Sequence, residues 1–425
     1  MPRSEIESLD AFRQRARAFA QKLGRVTPRA AASALRADRS DEEELAEVAR
    51  ERELQRRLFD ANLAGVCVPR EYGGQGLTPA HQRVLNAELR GREYPARLQV
   101  PTFTPCLSVL LEFGSEQQKL KHVPAILRGD ELWMQFLSEP SCGSDVAGAL
   151  TTAVRDGDEW VLNGSKVWTT GAWWSDWGLC LARTNWDAPK HGGLTVFIFP
   201  IKSPGIEVQR IEMLNGSKEF CQEYLTDVRI PDSYRIGAVD EGWTVGSRWM
   251  FFEGMGNNSP LVTMPEGTGR ATHGSGATMH AIAKAAGTLS DPRARELIGE
   301  AECLHRVGEA LKRRIGQGIM TRKLPDKASN IHRLYAGLAA TRRTTIAFEL
   351  AGPTGGAWVE EDGDLAEWGA DFLMRQAFCI GGGTTEMAAN NISERVLKMP
   401  REVTHDRDRP FREVPRSANK ASADE

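Results

Sequence analysis

Phe136–Asp145 reads FLSEPSCGSD, and further along the chain Lys166–Gly171 reads KVWTTG. The first stretch follows an apolar run (Leu132, Trp133, Met134, Phe136, Leu137) and breaks at Pro140 and Gly143 into a polar turn. The second follows a run of strand-type residues. Together they predict a strand, a polar loop, a hairpin and another strand. Ser138, Ser144, Thr169 and Thr170 fall where the chain changes direction. A β framework offers hydroxyl and backbone N–H donors in this way to a flat polar ligand with a phosphate tail. The same residues also make an ordinary Ser-rich turn. Trp168 suits a core as well as the wall of an aromatic ligand site.

Outward from this stretch, the chain changes period twice. Residues 4–23 repeat Ile6, Leu9, Phe12, Ala16, Phe19 and Leu23 at helical spacing,. Residues 27–40 read as an irregular connector, and Asp41 is placed to cap a helix running to about Asn62. PREYGGQGLTP forces a loop. Helical patterns resume at Ala80–Arg90 and Pro105–Phe113, and Ser115 caps another helix. From about Glu131 short β-type runs follow one another: Thr151–Arg155, Glu159–Leu162, Val167–Thr170, Leu179–Arg183, Leu194–Phe199, Ile206–Arg210 and Phe220–Val228. Asp156-Gly157-Asp158 is a hairpin signal. This spacing predicts a closed or sandwiched β domain.

After Pro231 helices return: Gly242–Glu253, Ala277–Leu289, Pro292–Gln317, Lys327–Ala351, Leu365–Ile380 and Thr384–Met399. The Gly-rich segment 254–276 reads as a long functional or disordered loop, and the charged tail from Arg401 as disordered. Helices, then strands, then helices is an α+β order. The domains expected are residues 1–130 (helical), 131–235 (β-barrel or sandwich) and 236–400 (a helical bundle), with the tail 401–425. No GxGxxG follows a strand, so a Rossmann site is unsupported.

Composition narrows the classes further. The 425 residues carry a net charge of −3 with 26% charged and 41% hydrophobic residues, which is ordinary for a globular protein and gives a nucleic-acid partner no support,. There is no apolar run long enough for a membrane span. MPRSEIESLDAF has no apolar h-region, which predicts no secretory signal. Seven cysteines without a CxxC pair fit a reduced, cytoplasmic compartment and no structural metal,.

Two further places could carry chemistry. Ile380–Glu386, IGGGTTE, is a Gly-rich entry to a helix N-terminus. It is either a plain helix–helix turn or an anion seat, and the third glycine favours close ligand approach. Glu253 stands beside the apolar face of its helix (Val245, Trp249, Phe252) and directly before Gly254, where the helix is expected to end. The negative end of the helix dipole and partial burial both raise a carboxyl pKa, which suits a general base. Most helical glutamates are simply solvated.

These motifs resemble the acyl-CoA dehydrogenase family. SEPSCGSD with KVWTTG looks like its flavin-binding signature. GVCVPREYGGQGLTP resembles its early loop, LEFGSEQQKLKHVPAILRGDELWMQFLSEPSCGSDVAG its helix-to-strand passage, and IGGGTTEMAANNISERVLKMPR its C-terminal segment. The four occur in the family's order over roughly residues 45–400. The resemblance implies an N-terminal helical domain, a middle β domain and a C-terminal four-helix bundle. It implies FAD as cofactor and oxidation of an acyl-CoA thioester to the 2-enoyl-CoA. It implies that Gln135, Leu137 and Ser138 line the isoalloxazine, that Ser144 reaches the FAD pyrophosphate or the adjacent acyl-CoA, and that Trp168 and Thr170 pack against and hydrogen-bond the flavin. Gly383, Thr384 and Glu386 match the C-terminal FAD contacts.

Many members carry their base where this chain has Gly382, and a glycine cannot take a proton. Some branches place it on the first helix after the β domain, which counts without a gap to Glu253. Phe251, Phe252 and Gly382 would then border the substrate. The Arg that usually follows this alternative base is Gly254 here, and the usual Arg-x-x-Phe-Gly flavin contact is not visible. Gly381 and Gly382 imply a wide pocket for branched or ring-bearing acyl groups. By analogy an electron-transfer flavoprotein and a homo- or heterotetramer are expected. The alternatives are a related flavin oxidase and a flavin-binding partner subunit of a heteromeric complex.

Overall fold

The computed structural model describes residues 6–25, 40–265, 276–357, 365–401, 403–404 and 406–415. The chain forms two compact units. One comprises residues 1–212, 218–268 and 404–425, the other residues 213–217 and 269–403.

The first unit opens with helices α1 (Leu9–Ala20), α2 (Asp41–Asp60) and α3 (Pro79–Glu88), followed by the short α4 (Ala96–Leu98). Phe12, Ala16 and Ala20 pack with Leu54, Leu58, Leu85 and Leu89 into one core. Ile6 and Leu9, expected on that face, are exposed; Ile6 precedes the first turn of α1 and so escapes its periodicity. The cap of α2 is Ser40 rather than Asp41. Ser40 is extended and exchanges hydrogen bonds with Glu43, a reciprocal pair that satisfies two orphan donors,. The expected connector lies almost wholly outside the described residues. Gln99–Leu107 is irregular and, apart from Val100, buried. The helix expected from Pro105 therefore begins as α5 at Ser108 and runs to Phe113. Ser115 caps α6 (Glu116–Arg128) as expected, in a capping box with Gln118.

Eight strands follow: β1 (Trp133–Phe136), β2 (Thr152–Asp156), β3 (Glu159–Thr170), β4 (Trp177–Arg183), β5 (Leu194–Pro200), β6 (Ile206–Ile211), β7 (Phe220–Pro231) and β8 (Arg235–Ile236). Their order is β6-β7-β3-β2-β4-β5-β8, with β1 parallel to β4. The β2–β3 hairpin turns at Gly157, whose φ is 64°. The two runs expected as separate strands at 159–162 and 167–170 are one long β3, whose register against β7 shifts between Leu162 and Gly164 and which is bulged at Trp168. Phe136, Trp160, Leu162, Phe197, Phe199 and Val228 fill the sheet's core.

Helix α7 (Gly242–Met255) continues past Gly254 and is closed by Gly256, which has a φ of 43°. It belongs with the helical and β parts of the first unit rather than with the C-terminal helices that the sequence reading starts at 236. The reason is its buried face: Val245 and Trp249 share a core with Leu110, Leu194 and Val196. The described start of the Gly-rich segment is docked rather than loose. Val262 is buried, Thr263 N donates to Gln99 Oε1 at 2.8 Å and Met264 N donates to Asn86 Oδ1 at 3.2 Å. Residues 266–275 lie outside the described set.

The expected disorder of the tail fails at residues 406–415. Phe411 is buried and stacks on Trp186. Its N–H donates to Ala188 O, and Arg412 N–H donates to Trp186 O. An aromatic ring seated in an apolar notch outweighs the charged composition around it. The rest of the expected tail, from 416, is outside the described residues.

The second unit is helical among its described residues: α8 (Gly276–Ala285), α9 (Pro292–Met320), α10 (Ser329–Ala351), the short α11 (Pro353–Ala357), α12 (Ala366–Met374) and α13 (Thr385–Asn391). Met279, Ile282, Leu297, Ile346 and Leu350 form its core.

Candidate active site

The two opening motifs lie side by side. Val167 N donates to Ser138 O at 3.0 Å. Lys166 Nζ donates to Leu137 O at 3.2 Å, and Thr169 Oγ1 donates to Gln135 O at 3.4 Å. The strand end of one motif is thus stitched to the strand of the other by one backbone and two side-chain hydrogen bonds.

Beneath this seam lies an ionic core that sequence reading missed. Lys166 is fully buried. Its three N–H donors are used by Leu137 O, Leu181 O and Glu139 Oε1, the last at 2.8 Å. Glu139 also accepts from the Leu150 and Thr151 amides at 2.7 and 3.0 Å. Burial opposes its ionisation, but the Lys166 charge and these donors hold its carboxyl below the usual range. Five charge-assisted bonds converge on two side chains of the quoted motifs, which makes the loop 139–151 a rigid support,.

Above the seam, the residues expected at the flavin are available for a ligand. Trp168 is 54% exposed. It takes φ 66°, and for a bulky residue such a backbone is a strained outlier of the sort that gathers at functional sites. Its ring meets Phe220 edge-on at 5.8 Å. Ser138 and Thr170 are half-buried and Ser144 is exposed. The hydroxyls of all three have no hydrogen-bond partner among the described residues. An indole face beside uncommitted hydroxyls fits a flavin and its phosphates. Leu137 is buried and contributes shape only. Asp145, next to Ser144, pairs with Lys190 at 2.6 Å.

The expected base joins this group. Gln135 Nε2 donates to Glu253 Oε1 at 3.0 Å. Burial pushes the Glu253 carboxyl above the ordinary range, against the Gln135 donor, which pulls it down. Beside it, burial and the Glu253 charge push the Cys106 thiol up, so it stays protonated. Thr104 Oγ1 donates to Phe252 O at 2.9 Å and anchors the last turns of α7. Phe251 is half exposed and Phe252 half-buried, their rings 5.7 Å apart. The Arg248 guanidinium lies over both and is held by Glu112 at 2.8 and 2.9 Å.

The C-terminal candidates lie in the second unit and are described by themselves. Gly382 and Gly383 have φ of 72° and 95°, so both need glycine. A Cβ on either would meet no atom within 4 Å. Thr384, not Thr385, caps α13 through Met387 N at 3.0 Å. Arg333 of α10 holds the turn by donating to Phe378 O and Gly381 O, both at 2.9 Å. Glu386 is on the first turn of α13, where a backbone hydrogen bond holds its carboxyl below the usual range.

Sequence reading also missed Trp249 as a polar partner, and Thr104 and Cys106. Nothing local marks these roles: Trp249 is one turn from Glu253 on α7 but is joined to it through Gln135, and Thr104 and Cys106 meet Glu253 or its helix only through folding. Among the described residues no cluster could hold a metal ion, and no helix is long and apolar enough to cross a membrane.

Comparison with known proteins bears on the family and the fold. Residues 7–130 match the family model for the acyl-CoA dehydrogenase N-terminal domain, and residues 135–228 that for the middle domain. The chain is 32% identical over 348 residues to acyl-CoA dehydrogenase FadE34 of Mycobacterium tuberculosis, covering 81% of this chain but 46% of that protein. It is 30% identical over 351 residues to acyl-CoA dehydrogenase IpdE1 of the same organism, covering 81% of this chain and 87% of that one. The chain therefore spans about half the length of the first relative and most of the second. Among solved structures, the Tcur3481–Tcur3483 steroid ACAD superposes with a TM-score of 0.70 at 25% identity, covering 95% of this chain and all (100%) of that one. Members of this family are oxidoreductases and flavoproteins, generally binding FAD. With both domain models matched across the N-terminal helices and most of the sheet, and with relatives of 30% identity or more over most of the chain, this chain belongs to the acyl-CoA dehydrogenase family.

Proposed function

We propose that this chain is an FAD-dependent acyl-CoA dehydrogenase that introduces an α,β double bond into an acyl-CoA thioester with Glu253 as its base. The hydrogen bond between Glu253 and Gln135 carries the reading, because it sets a half-buried carboxylate against the strand of the flavin signature. Glu253 takes the α-proton. A carboxyl raised by burial is a stronger base than a solvated one and holds the abstracted proton near neutral pH. Gly382, at the family's other base position, offers no competing group. Bound FAD supplies the two-electron acceptor for the β-hydrogen. Gln135, Leu137, Ser138, Trp168 and Thr170 hold the ring system. Ser144 is assigned to the pyrophosphate or the adjacent acyl-CoA, and Gly383, Thr384 and Glu386 to further cofactor contacts. Phe251, Phe252 and Gly382 border the acyl group. The glycines at 381 and 382, with the similarity to a protein described as a steroid ACAD, support a branched or ring-bearing acyl group. An electron-transfer flavoprotein is the proposed acceptor, and a homo- or heterotetramer the proposed assembly.

The test is anaerobic. Purified protein mixed with a panel of straight-chain, branched and ring-bearing acyl-CoAs should bleach the flavin absorbance fastest with bulky groups. Glu253→Gln should slow bleaching at least about 10²-fold, and near-parent turnover in that variant would sink the assignment. A second reading follows from the solved relative, whose description names two proteins: this chain is one subunit of a heteromeric dehydrogenase. An isolated chain that stays colourless, and binds FAD only when co-expressed with a family relative, would establish it.

A further inference from the structure

Glu253 is joined to a second residue of its own helix through Gln135. Trp249, one turn back on α7, is fully buried. Its indole N–H donates to Gln135 Oε1 at 2.7 Å, while the other end of that amide donates to Glu253 Oε1 at 3.0 Å. An indole has a donor and no acceptor, and an ionised carboxylate has acceptors and no donor. An amide has one of each. Only one orientation of Gln135 satisfies both neighbours. The flipped amide would set NH₂ against the buried indole N–H and its oxygen against the half-buried carboxylate, two repulsive contacts.

We propose that Trp249 and Gln135 are positioning residues: a polarity-fixed relay that locks Glu253 Oε1 in one orientation and favours its ionised form. The inference deepens the reading of Glu253 as base and rests on it for its functional meaning.

The surroundings leave this relay as the main polar influence on the carboxyl. From the buried segment 99–107 the titratable group that feels Glu253 is the Cys106 thiol, which is neutral near pH 7 because burial and Glu253 both push it up. From β1 the neighbour is the neutral Gln135. On α7 the nearby cation is Arg248, engaged from α5 by both oxygens of Glu112. Burial therefore drives Glu253 towards its neutral acid, and the Gln135 N–H is the group that opposes it. A base must be ionised before it can accept the α-proton. The relay also withdraws one of the two carboxylate oxygens from the reaction and leaves Oε2 to meet the substrate.

The experiment follows the carboxyl itself. Infrared difference titration of the FAD-loaded protein in D₂O reads the protonated carboxyl band, which is assigned to Glu253 by its loss in Glu253→Gln. Gln135→Leu should move that titration up by about 1 to 2 pH units, the worth of one hydrogen bond to a charged group. Trp249→Phe should move it up by a smaller step, since the amide is then able to turn. In the Gln135→Leu background, Trp249→Phe should add nothing, because Trp249 acts only through Gln135. An unmoved titration in Gln135→Leu overturns the inference, as does an equal Trp249→Phe shift in both backgrounds. If Trp249→Phe does not fold, Gln135→Leu decides alone. The pH profile of flavin bleaching separates this from the reading beneath it. If the band moves and the acid limb of the profile moves with it, both stand. If the band moves and the limb does not, the relay stands and Glu253 is not the base.

Discussion

Glu223 shows how much one side chain can be asked to do out of sight of solvent. It is fully buried on β7. Its Oε2 accepts from Thr169 Oγ1 at 2.9 Å, while its Oε1 has no partner among the described residues. Burial pushes its carboxyl up to about 8. The sign follows from linkage. The folded protein keeps this proton to about pH 8, and the unfolded chain releases it in the ordinary glutamate range,. Its stabilising contribution is therefore full in acid, below the unfolded pKa, and is lost as pH rises through the folded one. Glu223→Gln removes the titration and keeps an acceptor for Thr169. Between pH 5 and pH 8 the variant should gain on the order of 3 kcal/mol relative to the parent in urea unfolding. A difference that stays flat with pH would refute this. The residue was within reach of the sequence. Cys221, Glu223 and Leu225 alternate inward, and a carboxylate in the apolar phase of a strand is a signal in itself. Glu253 offered no comparable signal, since its helix alone does not say which face meets β1.

Strand β3 carries the cofactor motif by departing from regular pairing. Its register against β7 slips between Val167 and Thr169, and Trp168 occupies the slip at φ 66°. A bulge turns a side chain that pairing would have alternated against its neighbours into one presented to solvent. The motif ends at Gly171, φ 70°, where a Cβ would stand 2.0 Å from the Trp174 ring, so the last glycine of KVWTTG is there for close approach. The backbone at Trp168 makes a specific prediction. Elsewhere in a strand, glycine is less stable than alanine. At this position Trp168→Gly should be more stable than Trp168→Ala by about 1 kcal/mol, because alanine pays for the left-handed backbone and glycine does not. Both should retain FAD less well than the parent, measured by flavin absorbance after gel filtration. If alanine is the more stable of the two by thermal unfolding, the left-handed backbone is not imposed by the strand.

The first unit is closed by a segment far along the chain. Phe411 seats against the loop 184–193, and the Arg183 guanidinium lies 3.7 Å from its ring centroid. Arg183 is itself fully buried, and it donates to the carbonyls of Ala147, Ala149, Lys190 and Gly192. Lys190 in turn pairs with both Asp145 and Asp406. The tail, the loop 184–193 and the turn that carries Ser144 are thus tied through two cations. Phe411→Ala should cost about 3 to 5 kcal/mol by denaturant unfolding. It should also speed amide exchange in residues 184–193 and 144–149 ahead of the rest of the sheet. Uniform destabilisation with no local effect would show that the tail packs without bracing that turn.

What was legible without coordinates has a common character. The helix–strand–helix order, the strand runs, the Ser115 cap and the cofactor motifs are all written over short spans, where periodicity, turn residues and capping chemistry act between near neighbours. The family resemblance rests on the same local strings. The Glu253–Gln135–Trp249 relay is different, because its middle member lies more than a hundred residues from the other two along the chain. So is the Lys166–Glu139 pair, whose partners share one turn of sheet only because β1 and β3 are stitched together. The tail is a third case: its composition reads as solvated, and a single aromatic seat overrides it. Local chemistry specified the elements and the cofactor signature. Which polar groups are desolvated, and by whom they are met, was decided only when distant segments packed, because burial and hydrogen-bond partnership are properties of the folded neighbourhood and not of the residue.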